Sequence, residues 1–205
     1  MNQIDMLGKP CPTPVIEAKK ALAPSNAHEV TIKVDNMMAV QNLGKMAAGY
    51  GYAFSFKDGG EGIFNVTIQK NGNSAHGINP DEKNALPQRG ASQRKNLVVV
   101  ITSDELGGGA PELGKILMKS FIYSLTESET VPSAIIFMNR GAYLTALGSN
   151  TIADLKTLED KGSEILTCGT CSDYYGLQND LAAGSIADMF TITGKMAAAD
   201  LVINL

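Results

Sequence analysis

Cysteine, histidine and net charge are all scarce in this chain, and each scarcity narrows what the protein does. Three cysteines among 205 residues are too few for a disulfide scaffold, and in a reducing compartment a cysteine motif is more often catalytic or metal-binding than structural. The two histidines, His28 and His76, fall at a strand start and in a polar stretch, and both read as solvated. With so few donors, and none at matching spacing, zinc is disfavoured; neither a metal nor a cofactor is expected. A net charge of −4 gives no overall attraction for nucleic acid. No apolar run approaches the ~18 residues of a membrane span, and the first residues, MNQIDMLGKPC, lack the basic and apolar blocks of a secretory signal. The expectation is a globular cytoplasmic protein that binds neither nucleic acid nor membrane.

Charge and composition divide the chain. Residues 1–70 sum to +1, residues 71–95 to +2 and residues 96–205 to −7. Two separately surfaced units would show this asymmetry, although solvated faces of differing composition give the same pattern. Residues 71–95 are rich in Asn, Gly, Pro, Ser and charge, with only Ile78 and Leu86 large and apolar, which is the composition of a linker. Taken as ~22 flexible residues it would span ~25 Å and hold one unit near the other at roughly millimolar effective concentration. The expected organisation is a domain over 1–70, a flexible linker over 71–95 and a domain over 96–205.

Periodicity predicts an α/β protein. The first unit reads strand, helix, strand, helix, strand, strand: Pro14 opens a helix with Val15, Ile16, Ala18 and Leu22 on one stripe, followed by Pro24. Residues 29–34 alternate as a strand; Val40, Leu43, Met46, Ala47 and Tyr50 recur at helical spacing, and Asp58-Gly59-Gly60 marks a hairpin. A small two-layer βαβαββ sandwich results. In the second unit, residues 96–102 and 134–138 are continuous apolar runs typical of parallel strands covered on both faces. A helix from Pro111 carries Leu113, Ile116, Leu117, Phe121 and Leu125; another starts at Thr151, a third strand runs over 164–167 into Cys168, and a short helix near 195–199 precedes a last strand over 201–205. This alternation predicts an open, mostly parallel α/β sheet, in which ligands gather at the carboxyl ends of the strands.

The cysteine motifs carry the chemistry. Each sits where a strand hands over to a helix, and unpaired N–H groups there favour a thiolate over a thiol. Both motifs are expected to present exposed thiols. Cys11 is framed by Pro10, Pro12 and Pro14, which fix φ and leave a rigid helix entry, and Lys9, Lys19 and Lys20 are expected to add positive potential. A small buried hydrophobe is the alternative, but such a role needs no flanking prolines. Cys168-Gly169-Thr170-Cys171 is compatible with a dithiol switch, half a zinc site, or an acceptor cysteine with a second thiol to resolve it. A thioredoxin-like dithiol normally follows the first strand of its domain, whereas this one follows the third. The glycine-rich stretch 106–112 reads as a flexible turn, with anion binding the lesser alternative.

Residues 3–70 resemble the TusA/SirA-like sulfur-carrier domain through Leu7-Gly8-x-x-Cys11-Pro12-x-Pro14 followed by Lys19-Lys20-x-Leu22. Residues 96–205 resemble DsrE/DsrF-like domains, which have flavodoxin-like layering, through Ser103-Asp104-Glu105-Leu106-Gly107, the stretch from Glu112 to Tyr123, and the stretch from Cys168 to Leu177. The order of the two resembles the YedF-like sulfurtransferase-like proteins linked to selenium metabolism. The resemblance implies that Cys11 accepts sulfur as a persulfide and that Cys168, eight residues before Gly176, is the reactive cysteine of the second domain, with no assigned role for Cys171. It implies a cysteine desulfurase or other persulfide or selenide donor, a downstream acceptor protein, and self-association through residues 96–205. The function expected is a sulfur or selenium carrier or transferase that relays from Cys11 to Cys168, with release through Cys171. A non-catalytic assembly protein with a redox-sensing dithiol is the alternative.

Overall fold

In the computed structural model, which describes residues 2–23, 27–70 and 96–205, the chain divides into two units, Met1–Gly90 and Ala91–Leu205. The expected linker over 71–95, with His76, and the helix-ending Pro24 lie outside the described residues.

The first unit contains β1 (Asn2–Asp5), α1 (Thr13–Ala21), β2 (Glu29–Val34), α2 (Met37–Gly49), β3 (Ala53–Asp58) and β4 (Phe64–Gln69). The strands form one sheet in the order β1-β2-β4-β3, with β1 parallel to β2 and the other pairs antiparallel. Strand alternation decides which face is covered: Val30, Ile32 and Val34 are buried while Glu29, Thr31 and Lys33 are not. The helices bring Ala18, Leu22, Val40, Leu43 and Ala47 onto that same core. Burying a side chain such as Ile32 or Leu43 contributes about 1.5–3 kcal/mol. The Asn36 side chain accepts from the Ala39 N–H at 2.8 Å and so caps α2, a contact typically worth ~1 kcal/mol.

The second unit contains β5 (Leu97–Ile101), α3 (Pro111–Thr126), β6 (Ala134–Phe137), a 3-10 helix (Asn139–Thr145), α4 (Ile152–Asp160), β7 (Glu164–Cys168), α5 (Gly169–Tyr174), β8 (Ser185–Ala187), α6 (Met189–Ala197) and β9 (Leu201–Asn204). Its five strands lie in the order β8-β7-β6-β5-β9 and every pair is parallel. Successive strand residues feed two cores. Val99, Ile101, Ile135, Phe137 and Ile165 pack with α3 and α4, whereas Val98, Val100, Ile136, Leu166 and Cys168 pack with Ile192 of α6. The unit is thus a sheet between two helical layers, the α/β class expected from its apolar runs. No helix among the described residues is long and apolar enough to cross a membrane.

Two of the expected helices differ from expectation. The core face of α3 is Gly114, Met118, Ile122 and Leu125, while Leu113, Ile116 and Leu117 are 52%, 59% and 41% exposed. Gly114 explains the rotation: a Cβ there would lie 2.9 Å from the Cβ of Glu105, so the bare backbone seats the helix against the loop after β5. The helix expected near 195–199 begins earlier, at Met189, because Asp188 accepts from the Thr191 N–H at 2.9 Å and caps it there.

Candidate functional site

Cys11 sits in a loop that polar contacts fasten to the sheet. The Met6 N–H donates to the Lys33 carbonyl at 2.8 Å, the Leu7 N–H to Asp5 at 3.0 Å, and the Gly8 N–H to the Asp35 carboxylate at 2.5 Å. That last bond, then the Asn36 side chain, hold the Asp35 carboxyl below its ordinary range. Gly8 has φ +68°, a conformation that glycine adopts without penalty. Cys11 then precedes a cis peptide to Pro12, the residue that caps α1. The Cys11 side chain is exposed, Pro12 is half-buried and Pro14 is buried in the first turn of the helix. The Asn42 amide of α2 approaches the Cys11 sulfur at 3.8 Å. Asp35 and Asn42 escaped the sequence reading, since neither lies within the cysteine motif.

The positive potential expected from Lys19 and Lys20 falls elsewhere. Both belong to the last turn of α1, about 10 Å along the axis from its start at 1.5 Å per residue. Lys20 pairs with Glu17 at 3.3 Å and Lys19 lies over the Tyr50 ring.

In the second unit the cysteine motif closes β7 at the carboxyl end of the sheet, where parallel α/β sheets place their sites. Here the expectation of two exposed thiols fails for one. Cys168 is only 2% exposed, because as the last residue of β7 it points into the core layer shared with α6. Cys171, one turn on, is half-buried against that layer. Its sulfur accepts from the Asn139 backbone N–H at 3.0 Å. Burial pushes the Cys171 thiol up, the Asn139 bond lowers it, and contact with the Cys168 sulfur raises it again. Thr170 between them is exposed, while Gly169 lets β8 approach: a Cβ there would come within 3.1 Å of Ile186.

Asn139 is held from three directions. It adopts φ +48°, its side-chain oxygen accepts from the Tyr175 hydroxyl at 2.6 Å, and Gly141 follows it in the 3-10 helix. A Cβ on Gly141 would lie 2.2 Å from the Ile101 carbonyl oxygen, so only glycine lets this segment cross the end of β5. Arg140 makes a two-point ion pair with Asp104, at 2.7 and 2.9 Å. Partial burial alone would raise the Asp104 carboxyl, but the Arg140 bond and charge, with help from its own backbone and Lys115, hold it low. The Tyr143 and Tyr175 rings meet at a tilt of 49°, their centroids 5.0 Å apart, and Tyr174 beside them is 83% exposed. A cleft of about 350 Å³ is lined by Tyr143 together with Asp104, Lys115, Lys119, Ser149 and Thr151. A larger one, about 470 Å³, lies between Asn96, Ser133 and Lys195 at the opposite ends of the strands and contains no cysteine. Among the described residues no three His, Cys, Asp or Glu side chains are grouped to hold a metal.

Comparison with known proteins bears on the first unit. The family described as sulfurtransferase TusA matches residues 2–70. A protein of Methanocaldococcus jannaschii named as a candidate sulfur carrier is 32% identical over 71 residues, 34% of this chain and 95% of that one. The candidate sulfur carrier TsuB of Escherichia coli K12 is 32% identical over 72 residues, 34% of this chain and 96% of that one. A solved SirA-like protein of Desulfitobacterium hafniense is 48% identical, covering 34% of this chain and 96% of its own, with a TM-score of 0.32. Cys11, Asp35 and Asn42 all fall within the matched segment. Through residues 2–70 the chain belongs to the TusA family.

Proposed function

We propose that the protein carries sulfane sulfur as a persulfide on Cys11 and passes it to the Cys168/Cys171 pair. The observation that carries this reading is the exposed Cys11 thiol on a fastened loop within a TusA-family unit. The Cys11 thiolate attacks the outer sulfur of a donor persulfide, R–S–SH; the new S–S bond forms as the old one breaks, and R–S⁻ leaves. The same exchange then moves the sulfur onto a thiolate of the second unit. Neither step changes the overall oxidation level, and both depend on thiolate fraction and access. A cysteine desulfurase or another persulfide or selenide donor supplies the atom and a downstream protein receives it, in the cytoplasm. Pro12 and Pro14 hold the first thiol at its helix entry, and Gly169 and Thr170 space the second pair.

The second unit is assigned to the DsrE-like group on its motif resemblance, and with it the whole chain to the YedF-like arrangement, selenium as an alternative cargo and self-association through residues 96–205. Intact mass after incubation with a cysteine desulfurase and cysteine tests the carrier function. Gains in steps of ~32 Da that vanish in Cys11→Ser support it; an unchanged mass with the thiols reduced would refute it. The packing of Cys168 and Cys171 in one core layer favours a second reading, a redox-sensing dithiol, which would instead lose two hydrogens.

A further inference from the structure

We propose that within the Cys168/Cys171 pair the second cysteine, Cys171, accepts the sulfur and the first, Cys168, is the internal thiol that expels it. This deepens the carrier reading and rests on it, and it reverses the order that the motif resemblance implies.

Burial decides the order. Cys168 is 2% exposed among Val98, Val100, Ile136, Leu166 and Ile192, so no donor persulfide reaches its sulfur unless the strand end opens. Buried cysteines in such surroundings are ordinarily inert toward outside reagents. Cys171 lies one turn further, at the edge of the same layer, with its sulfur on the backbone N–H of Asn139, an exposed residue. That N–H is a ready donor to negative charge on the attacking sulfur. It is held in place by the Tyr175 hydroxyl on the Asn139 side chain and by the close seat of Gly141 on β5. Two aromatic rings, Tyr174 and Tyr175, stand beside the approach. The raised pKa of Cys171 slows its attack without preventing it, since the greater intrinsic nucleophilicity of a less acidic thiol offsets part of the lost thiolate, and access separates the two sulfurs.

The chemistry balances with the two sulfurs in these roles. The Cys171 thiolate attacks the outer sulfur of an incoming persulfide and becomes Cys171–S–S⁻ after losing its proton, while the donor leaves as a thiolate. The Cys168 thiol, packed in the same core layer as Cys171, then attacks the inner sulfur. An S–S bond forms between Cys168 and Cys171, the bond to the carried sulfur breaks, and hydrosulfide leaves with the Cys168 proton. The carried sulfur gains two electrons and the two cysteines lose them together. A thiol reductant of the cell must restore the dithiol before the next cycle. Where an acceptor protein takes the outer sulfur first, Cys168 is not oxidised at all.

Inorganic polysulfide added to the full-length Cys11→Ser chain tests the order without the first unit's thiol, followed by alkylation and peptide mass mapping. Persulfide should appear on Cys171; adding Cys168→Ser should lengthen its lifetime and abolish the internal disulfide, and adding Cys171→Ser should abolish loading. Persulfide first seen on Cys168, or on neither, overturns the proposal. Because polysulfide bypasses Cys11, these outcomes are independent of whether Cys11 loads from a desulfurase. Competitive labelling of the reduced, unsubstituted chain with N-ethylmaleimide gives a measurement that needs no variant: Cys171 should react roughly tenfold or more faster than Cys168, and equal or reversed rates contradict the assignment.

Discussion

Gly141→Ala should destabilise the second unit and disconnect Asn139 from Cys171 in one step. The introduced Cβ would sit 2.2 Å from the Ile101 carbonyl oxygen, roughly 1 Å inside an ordinary contact distance. Neither side yields easily. Ile101 ends a central strand paired to both β6 and β9, and its carbonyl already accepts the Met138 N–H at 3.0 Å. The 3-10 helix must therefore lift, and the Asn139 N–H that it positions must move off the sulfur. Overpacking of this kind costs about 1–3 kcal/mol. At ~2 kcal/mol the melting temperature of a unit this size should fall by roughly 10 °C, while the first unit is unaffected. Urea denaturation followed through the tyrosines of the second unit reports the first effect, and the pH dependence of Cys171 alkylation the second. With the Asn139 bond gone, its lowering influence is lost and the alkylation profile should move to still higher pH. A stability change below about 0.5 kcal/mol together with an unmoved profile would show that the segment steps aside and that the seat on β5 does not position Asn139.

In the unsubstituted chain Cys171 alkylation should have its midpoint on the alkaline side of an ordinary thiol, since burial and Cys168 both disfavour its charged form; a midpoint on the acidic side contradicts that balance. Asp35→Asn removes a carboxylate whose ionised form the Gly8 N–H and Asn36 stabilise. The Asp35 carboxyl is lowered in the folded state, so its contribution is present above the ordinary carboxylate range and is lost as pH falls through its folded value. The variant should show faster amide exchange at Gly8 near neutral pH and less loss of stability on acidification, and unchanged exchange at Gly8 would remove Asp35 from the account. Limited proteolysis should cut first within residues 71–95, as their polar composition predicts; early cuts within either unit would count against separate folding.

The strands and the helix cores of the first unit were legible because each has a single apolar face, as in Val30, Ile32 and Val34. The outer half of α3 was not. Leu113, Ile116 and Leu117 form as good a helical stripe as Met118, Ile122 and Leu125, and periodicity cannot choose between two apolar faces when a contact at Gly114 sets the rotation. Strand β8, three residues ending at Ala187, is too short for its pattern to register, and β7 beside it gives the register that makes it a strand. The cysteines themselves were evident from motif alone, yet their exposure was not, because both faces of β7 are covered and the motif does not show that α6 closes the layer into which Cys168 points. Thr167 faces one layer, where it bonds Thr145 at 2.8 Å, and Cys168 therefore faces the other. Asn139 was invisible for a related reason: its N–H reaches Cys171 from a neighbouring strand end 32 residues earlier in sequence.

Single-turnover transfer tests the central claim most directly. Cys11 is loaded with ³⁵S-labelled sulfur in dilute full-length protein, excess donor is removed, and peptides are mapped over time. The account predicts that label leaves the Cys11 peptide and appears on the peptide containing residues 168–171, with a rate independent of protein concentration if transfer is within one chain. Label that stays on Cys11, or leaves it without ever reaching residues 168–171, contradicts the relay and assigns the two units to separate partners.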